Sequence, residues 1–159
     1  MKLKTWFASL ALVLSAAACG SDGPTGIVDP GPPPPLPAGA VTVTTNTGLQ
    51  YVDITVGGGA TVAQSGNRVR VHYTGWFTNN QYFDTSAGGP PLEFILGQQA
   101  VIAGFDEGIR GMKAGGKRRL IVPPALGYGA NPVTDPRTGA VVIPGNSTLI
   151  FDVELVTVT

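Results

Sequence analysis

The stretch Leu149-Ile150-Phe151-Asp152-Val153-Glu154-Leu155 places Leu149, Phe151, Val153 and Leu155 on one face of an extended chain and Asp152 and Glu154 on the other. That period of two is the pattern of a half-buried β-strand. Working outward, Lys117 to Val122, Leu92 to Leu96 and Gln81 to Phe83 are further strand candidates, and Arg68-Val69-Arg70-Val71-His72-Tyr73 alternates charge with apolar bulk. Two β-branched runs, Val41 to Thr45 and Gln50 to Val56, flank the turn-prone Asn46-Thr47-Gly48. Only one segment has helical spacing: Val101, Ile102, Phe105, Ile109 and Met112 make an apolar stripe about three turns long. Many antiparallel strands and one short helix predict an α+β domain in which the helix packs on a sheet.

Composition narrows the chemistry. A chain of 159 residues is one domain of ordinary size. Its 23 glycines and 14 prolines argue against a helix bundle and for strands, turns and an unstructured stretch. Ten basic residues balance ten acidic ones, so no basic excess exists to bind nucleic acid through its phosphates. The single cysteine, Cys19, excludes an internal disulfide and any paired-cysteine redox or metal motif. The single histidine, His72, excludes a multi-histidine metal centre.

The amino-terminal region reads as an address and a spacer. Lys2 and Lys4 precede an apolar run from Trp6 to Leu14, and small residues Ser15 to Ala18 lead to Cys19, so residues 1–18 form a secretory signal peptide. The apolar run is shorter than the roughly 20 residues a membrane-spanning helix needs. The segment resembles a bacterial lipoprotein signal, with Ala16 where leucine is usual and Cys19 at the lipidated position. Acylation there supplies stable anchoring and removes a partnerless thiol. The expected location is the cell envelope, lipid-anchored; Gly20 after the cysteine favours the outer membrane where two membranes exist. Losing Lys2 and Lys4 leaves the mature chain about two charges negative, so lipid rather than charge does the anchoring. Residues 19–40 hold the lipidated cysteine and a tether. Seven prolines and five glycines fall within residues 20–40, a spacer expected to stay extended, partly as polyproline II, with a proline-recognition ligand as the alternative. The folded domain is expected over 41–159.

Three motifs carry little. Gly111 to Arg118 approaches a phosphate-binding loop, but Arg118 replaces the magnesium-binding hydroxyl and a strand follows instead of a helix. His72 lacks a neighbouring nucleophile pattern and reads as a residue on the solvent face of its strand. The sequon Asn146-Ser147-Thr148 is incidental in a bacterial-type lipoprotein.

An ordered series is far more specific. Val71-His72-Tyr73-Thr74-Gly75 is followed by Phe83-Asp84, then by Leu96 to Phe105 (LGQQAVIAGF) and Gly108-Ile109-Arg110-Gly111-Met112. Pro124-Ala125-Leu126-Gly127-Tyr128-Gly129, Ile143-Pro144 and Leu149 to Leu155 complete it. This series, spanning nearly the whole folded part, closely resembles the FKBP-type peptidyl-prolyl cis-trans isomerases, which bind tacrolimus and rapamycin. The resemblance implies an antiparallel half-barrel wrapped around one short helix. It implies Tyr73, Asp84, Phe105 and Tyr128 as catalytic residues and Phe83, Leu92, Val101, Ile102, Ile143 and Phe151 as the substrate-binding wall. Phe105 stands where many relatives have tryptophan, and Leu92 where phenylalanine is common. The segment between Asp84 and Leu92 is a residue shorter than in small relatives and lacks the arginine that often pairs with the aspartate. Residues 131–142 are longer than the family's compact loop and suggest a projecting flap that either shapes substrate choice or decorates one edge.

The chemistry fits these residue types. Rotation about an Xaa-Pro amide crosses about 18–20 kcal/mol because resonance is lost, and no bond forms or breaks. The reaction therefore requires no nucleophile, metal or cofactor. An apolar site disfavours the charge-separated planar amide more than the twisted one, which is differential binding of the transition state. The expected partners are Xaa-Pro segments of exported proteins, with an apolar residue before the proline, acted on by a monomer. The rivals are a chaperone-like or adhesive binding module that keeps the groove without catalysis, and a purely structural lipoprotein. Taken singly, Asp84 reads as a turn cap and Tyr73 as a core residue.

Overall fold

The computed structural model describes residues 29–159; the expected signal peptide and Cys19 lie outside the described residues. Among the described residues, nine strands and one α-helix follow one another: β1 (Thr42–Thr44), β2 (Gln50–Thr55), β3 (Arg68–Phe77), β4 (Tyr82–Thr85), β5 (Leu92–Ile95), α1 (Ala103–Ile109), β6 (Lys117–Val122), β7 (Val133–Thr134), β8 (Val141–Ile143) and β9 (Leu149–Val158). Seven strands form one antiparallel sheet in the order β1-β2-β6-β9-β3-β4, with β5 also paired to β3. It does not close into a barrel. The ten-residue β3 and β9 pair along their whole length, which places the alternating 149–155 stretch at the sheet's centre.

The inner faces of β3, β6 and β9 bury Val69, Val71, Leu120, Val122, Leu149, Phe151, Val153 and Leu155 in one cluster with Phe105, Ile109 and Met112. The helix reaches the sheet through two glycines. A Cβ on Gly104 would lie 2.5 Å from Val122 Cγ1, and one on Gly108 2.5 Å from Leu120 Cδ2, so the backbone of α1 rests directly on β6. Arg118 braces the far end of that helix. Its guanidinium pairs with Asp53 (2.7 and 3.1 Å), lies 4.2 Å over the Tyr51 ring, and donates to the carbonyls of Gly108 (2.9 Å) and Arg110 (3.2 Å). These carbonyls end the helix and need external donors.

One feature departs from the sequence reading and two add to it. The helix has seven residues and about two turns, not three. Val101 precedes it, Ile102 is its N-cap, and Gly111 in a left-handed conformation (φ +83°) follows it, so the apolar stripe continues into non-helical backbone. The 131–142 flap is a two-stranded hairpin, β7 with β8, tightened at its tip by the backbone pairing of Asp135 with Gly139 and Ala140. Residues 31–34 of the spacer lie against the sheet: the Gly31 carbonyl accepts from Trp76 Nε1 (2.6 Å), and the Pro34 carbonyl from Arg119 Nη2 (2.8 Å). Outside any sheet ladder, these carbonyls find their donors in side chains of the sheet.

Candidate active site

On the concave side of the sheet, four elements converge. Tyr73 projects from β3, Phe83 and Asp84 come from β4, Phe151 from β9, and Phe105 from the first turn of α1. Their rings pack mostly edge to face: Tyr73 with Phe105 at 5.7 Å and 80°, Phe105 with Phe151 at 5.3 Å and 78°, and Phe83 with Phe151 at 5.6 Å and 84°. That arrangement sets positive ring edges against negative faces and fixes each plane. Leu92, Val101, Ile102 and Tyr128 are half-buried against this cluster, and Ile143, ending β8, is a buried member of it. The rings of Tyr73, Phe83, Phe105 and Phe151 thus meet directly with Asp84 bonded to Tyr73, and Leu92, Val101, Ile102, Tyr128 and Ile143 belong to the core cluster around them.

Its polar groups are few. The Tyr73 hydroxyl donates to Asp84 Oδ2 at 2.7 Å. Burial pushes the Asp84 carboxyl above the ordinary carboxylate value, while the hydrogen bonds from Tyr73 and the Thr85 backbone hold it down. Burial and the neighbouring Asp84 charge raise Tyr73 far above an ordinary phenol. Tyr128 is pushed up to about 12, again by burial first and Asp84 second. Both phenols therefore keep their protons and remain donors at neutral pH. Ile102 supplies another donor. Its carbonyl accepts from the N–H groups of Phe105 and Asp106, while its own N–H, at the N-cap, has no intrahelical acceptor. Among the described residues no cluster of three or more histidine, cysteine or carboxylate side chains is arranged to hold a metal.

Several contributors escaped the sequence reading. Gly75 lies between Phe83 and Phe151; a Cβ there would come within 2.7 Å of Phe83 Cζ and 2.9 Å of Phe151 Cε1. Phe94 extends the aromatic set from β5 (6.2 Å to Phe105) and Phe77 from β3 (4.9 Å to Phe83). Phe94 shares a face of β5 with Leu92, a signal present in the alternation of Leu92 to Leu96. Ser86 Oγ accepts from the Tyr73 N–H (2.8 Å) and bonds His72 Nδ1 (3.1 Å), so His72 is half-buried and engaged on its strand.

The fold and this basin define a class. The chain belongs to the FKBP-type peptidyl-prolyl cis-trans isomerase family, whose model matches residues 59–156. It is 46% identical over 112 residues to the FK506-binding protein of Neisseria meningitidis serogroup B, covering 70% of this chain and 96% of that protein. Among solved structures, AtFKBP13 superposes with a TM-score of 0.68 at 36% identity, over 75% of this chain and 99% of that one. FkpA from Escherichia coli gives 0.63 at 39% identity, over 74% of this chain and 51% of that one. Other curated relatives are much longer: the chain spans 25% of the 46 kDa FK506-binding nuclear protein of Spodoptera frugiperda.

Proposed function

We propose that this chain is a peptidyl-prolyl cis-trans isomerase acting on extended Xaa-Pro segments of exported proteins. The observation that carries the reading is the Tyr73–Asp84 pair set into the Phe83–Phe105–Phe151 basin beside the free end of α1. In this reading Phe105 forms the floor for the proline ring, and Val101, Leu92 and Ile143 complete its wall. The Ile102 N–H and the Tyr128 hydroxyl orient the substrate's carbonyl groups. Asp84, fixed by Tyr73, faces the amide whose charge separation falls as it twists. The apolar surroundings penalise the planar amide more than the twisted one, so the barrier of about 18–20 kcal/mol drops without any bond being made. FK506-type macrolides compete for the same basin, in keeping with the FK506-binding relatives.

The envelope location and the anchoring through Cys19 belong to the same proposal. They are supported by the charged, apolar and small-residue order of residues 2–19. No helix among the described residues is long and apolar enough to cross a membrane. The isomerase reading is tested by the rate of cis/trans exchange in an Ala-Leu-Pro-Phe-type peptide. Acceleration inhibited by tacrolimus supports it; peptide binding without acceleration by the folded protein replaces it with a non-catalytic binding module. Labelling with radioactive palmitate, lost in Cys19→Ala, tests the anchor.

A further inference from the structure

We infer that the outer face of the sheet is a docking site for a polyproline II segment, occupied in cis by residues 31–34 of the same chain. Alternation along β3 sets Val69, Val71, Tyr73 and Gly75 toward the concave side, which leaves Trp76 on the outer face with His72 and Thr74. An outer-face tryptophan is ordinarily wet. Trp76 is 3% exposed, yet it is absent from the interior cluster. Val52 on β2 behaves alike, 1% exposed and outside that cluster. The register lines up Val52, Arg119, Asp152 and Thr74 across four strands, with Ile121, Ile150 and Trp76 in the adjoining row. The outer face thus carries an apolar patch crossed by one ion pair.

The spacer supplies the cover, and its chemistry matches the donors beneath it. Pro32 to Pro35 have no N–H, and a polyproline II chain makes no internal hydrogen bonds, so the segment presents acceptors only. Trp76 Nε1 and the Arg119 guanidinium are groups that only donate. They bond the carbonyls of Gly31 (2.6 Å) and Pro34 (2.8 Å), while Arg119 stays bidentate on Asp152 at 2.5 and 2.6 Å. Pro32 to Pro34 are consecutive prolines, and three residues of polyproline II advance about 9 Å, which spaces the Gly31 and Pro34 carbonyls; Gly31 itself turns at φ +69° and begins the segment. Trp76 and Arg119 stand on β3 and β6, two strand spacings or about 9.5 Å apart across β9 and two residues or about 6.6 Å apart along the strands, and their long side chains converge on the segment. A cavity of about 250 Å³, bordered by Pro34, Pro35, Ile54, His72 and Lys117, continues the groove beyond Arg119.

The test uses the full chain in detergent micelles. It contains two tryptophans, so Trp6→Phe leaves Trp76 as the only indole N–H signal in a nitrogen-15 spectrum. Deleting residues 30–35 is expected to shift that resonance upfield and speed its exchange with water about tenfold or more, as a buried hydrogen bond is lost. A peptide of residues 29–37 added to the deleted chain should restore the resonance saturably, and Arg119→Gln should weaken that binding about tenfold. A full-length chain carrying Pro33→Gly and Pro34→Gly, which keeps the segment's length, should show an intermediate shift and provides the answer if the deletion impairs folding. An indole resonance unchanged in the deleted and glycine-substituted chains, or a peptide that leaves the deleted chain unaltered, overturns the inference.

Discussion

Replacing Gly75 with alanine tests how closely the basin depends on the backbone beneath it. The new Cβ would stand 2.7 Å from Phe83 Cζ and 2.9 Å from Phe151 Cε1, against an optimal carbon separation of about 3.5–4.0 Å. One or both rings must therefore retreat by about 1 Å. Both rings are held in place: Phe83 and Phe151 are 7% and 5% exposed, and Phe151 also packs edge to face against Phe105 and Tyr73. Overpacking of this kind costs about 1–3 kcal/mol. For a domain of this size the melting temperature should fall by roughly 4–12 °C. The displaced Phe151 carries Phe105 and Tyr73 with it, and misplacement by about 1 Å costs up to about a hundredfold in rate. We therefore expect kcat/KM on a Leu-Pro peptide to fall at least about tenfold in protein that remains folded at the assay temperature. Thermal melts read by circular dichroism and a peptide exchange assay give both numbers. A variant matching wild type in both would refute the packing described here, and one destabilised but fully active would separate this packing from catalysis.

Other perturbations probe separate parts. Burial raises the Asp84 pKa, so the folded state holds its proton more tightly than the unfolded chain; its stabilising contribution is present below the ordinary carboxylate pKa and is lost as pH rises through the raised value. Asp84→Asn should thus melt higher than wild type at pH 7, with the gap closing as pH falls, while activity drops; a gap independent of pH contradicts the assignment. Tyr73→Phe removes a hydrogen bond that lowers the Asp84 pKa, so carbon-13 carboxyl titration should show Asp84 moving further up. Arg118→Met strips the donors from the Gly108 and Arg110 carbonyls at the end of α1. It should cost about 2–4 kcal/mol in urea denaturation and leave kcat/KM within about twofold, since the guanidinium touches none of the basin.

How far the sequence carries depends on the range of the interaction. The strands are legible because alternation is local: β6 matches its expected span, and β3 and β9 only run longer than expected. The helix is overread because Val101, Ile102 and Met112 keep the apolar stripe going after the backbone has left helical geometry. The β7–β8 hairpin escapes since a two-residue strand such as Val133–Thr134 has no period to detect. The ten basin residues were reached through resemblance to a family, because no local rule joins Tyr73 to Asp84 or either to Phe151. Gly75 is recognisable within its motif, yet its steric role depends on rings from β4 and β9. The docked spacer was out of reach for the same reason: Gly31 and Pro34 find their donors 45 and 85 residues away.

The central claim is that an apolar basin around one tyrosine–aspartate pair twists a prolyl amide. Its most direct measurement is cis/trans exchange of an Ala-Leu-Pro-Phe-type peptide, followed by NMR with residues 29–159 and with the Phe105→Ala and Asp84→Val variants, each checked for folding by circular dichroism. Uncatalysed exchange takes tens to hundreds of seconds at 25 °C, so catalysis stands out clearly. The account predicts strong acceleration by wild type and a loss of most of it in both folded variants. A folded wild-type domain that leaves the exchange rate unchanged, or variants as active as wild type, would contradict it.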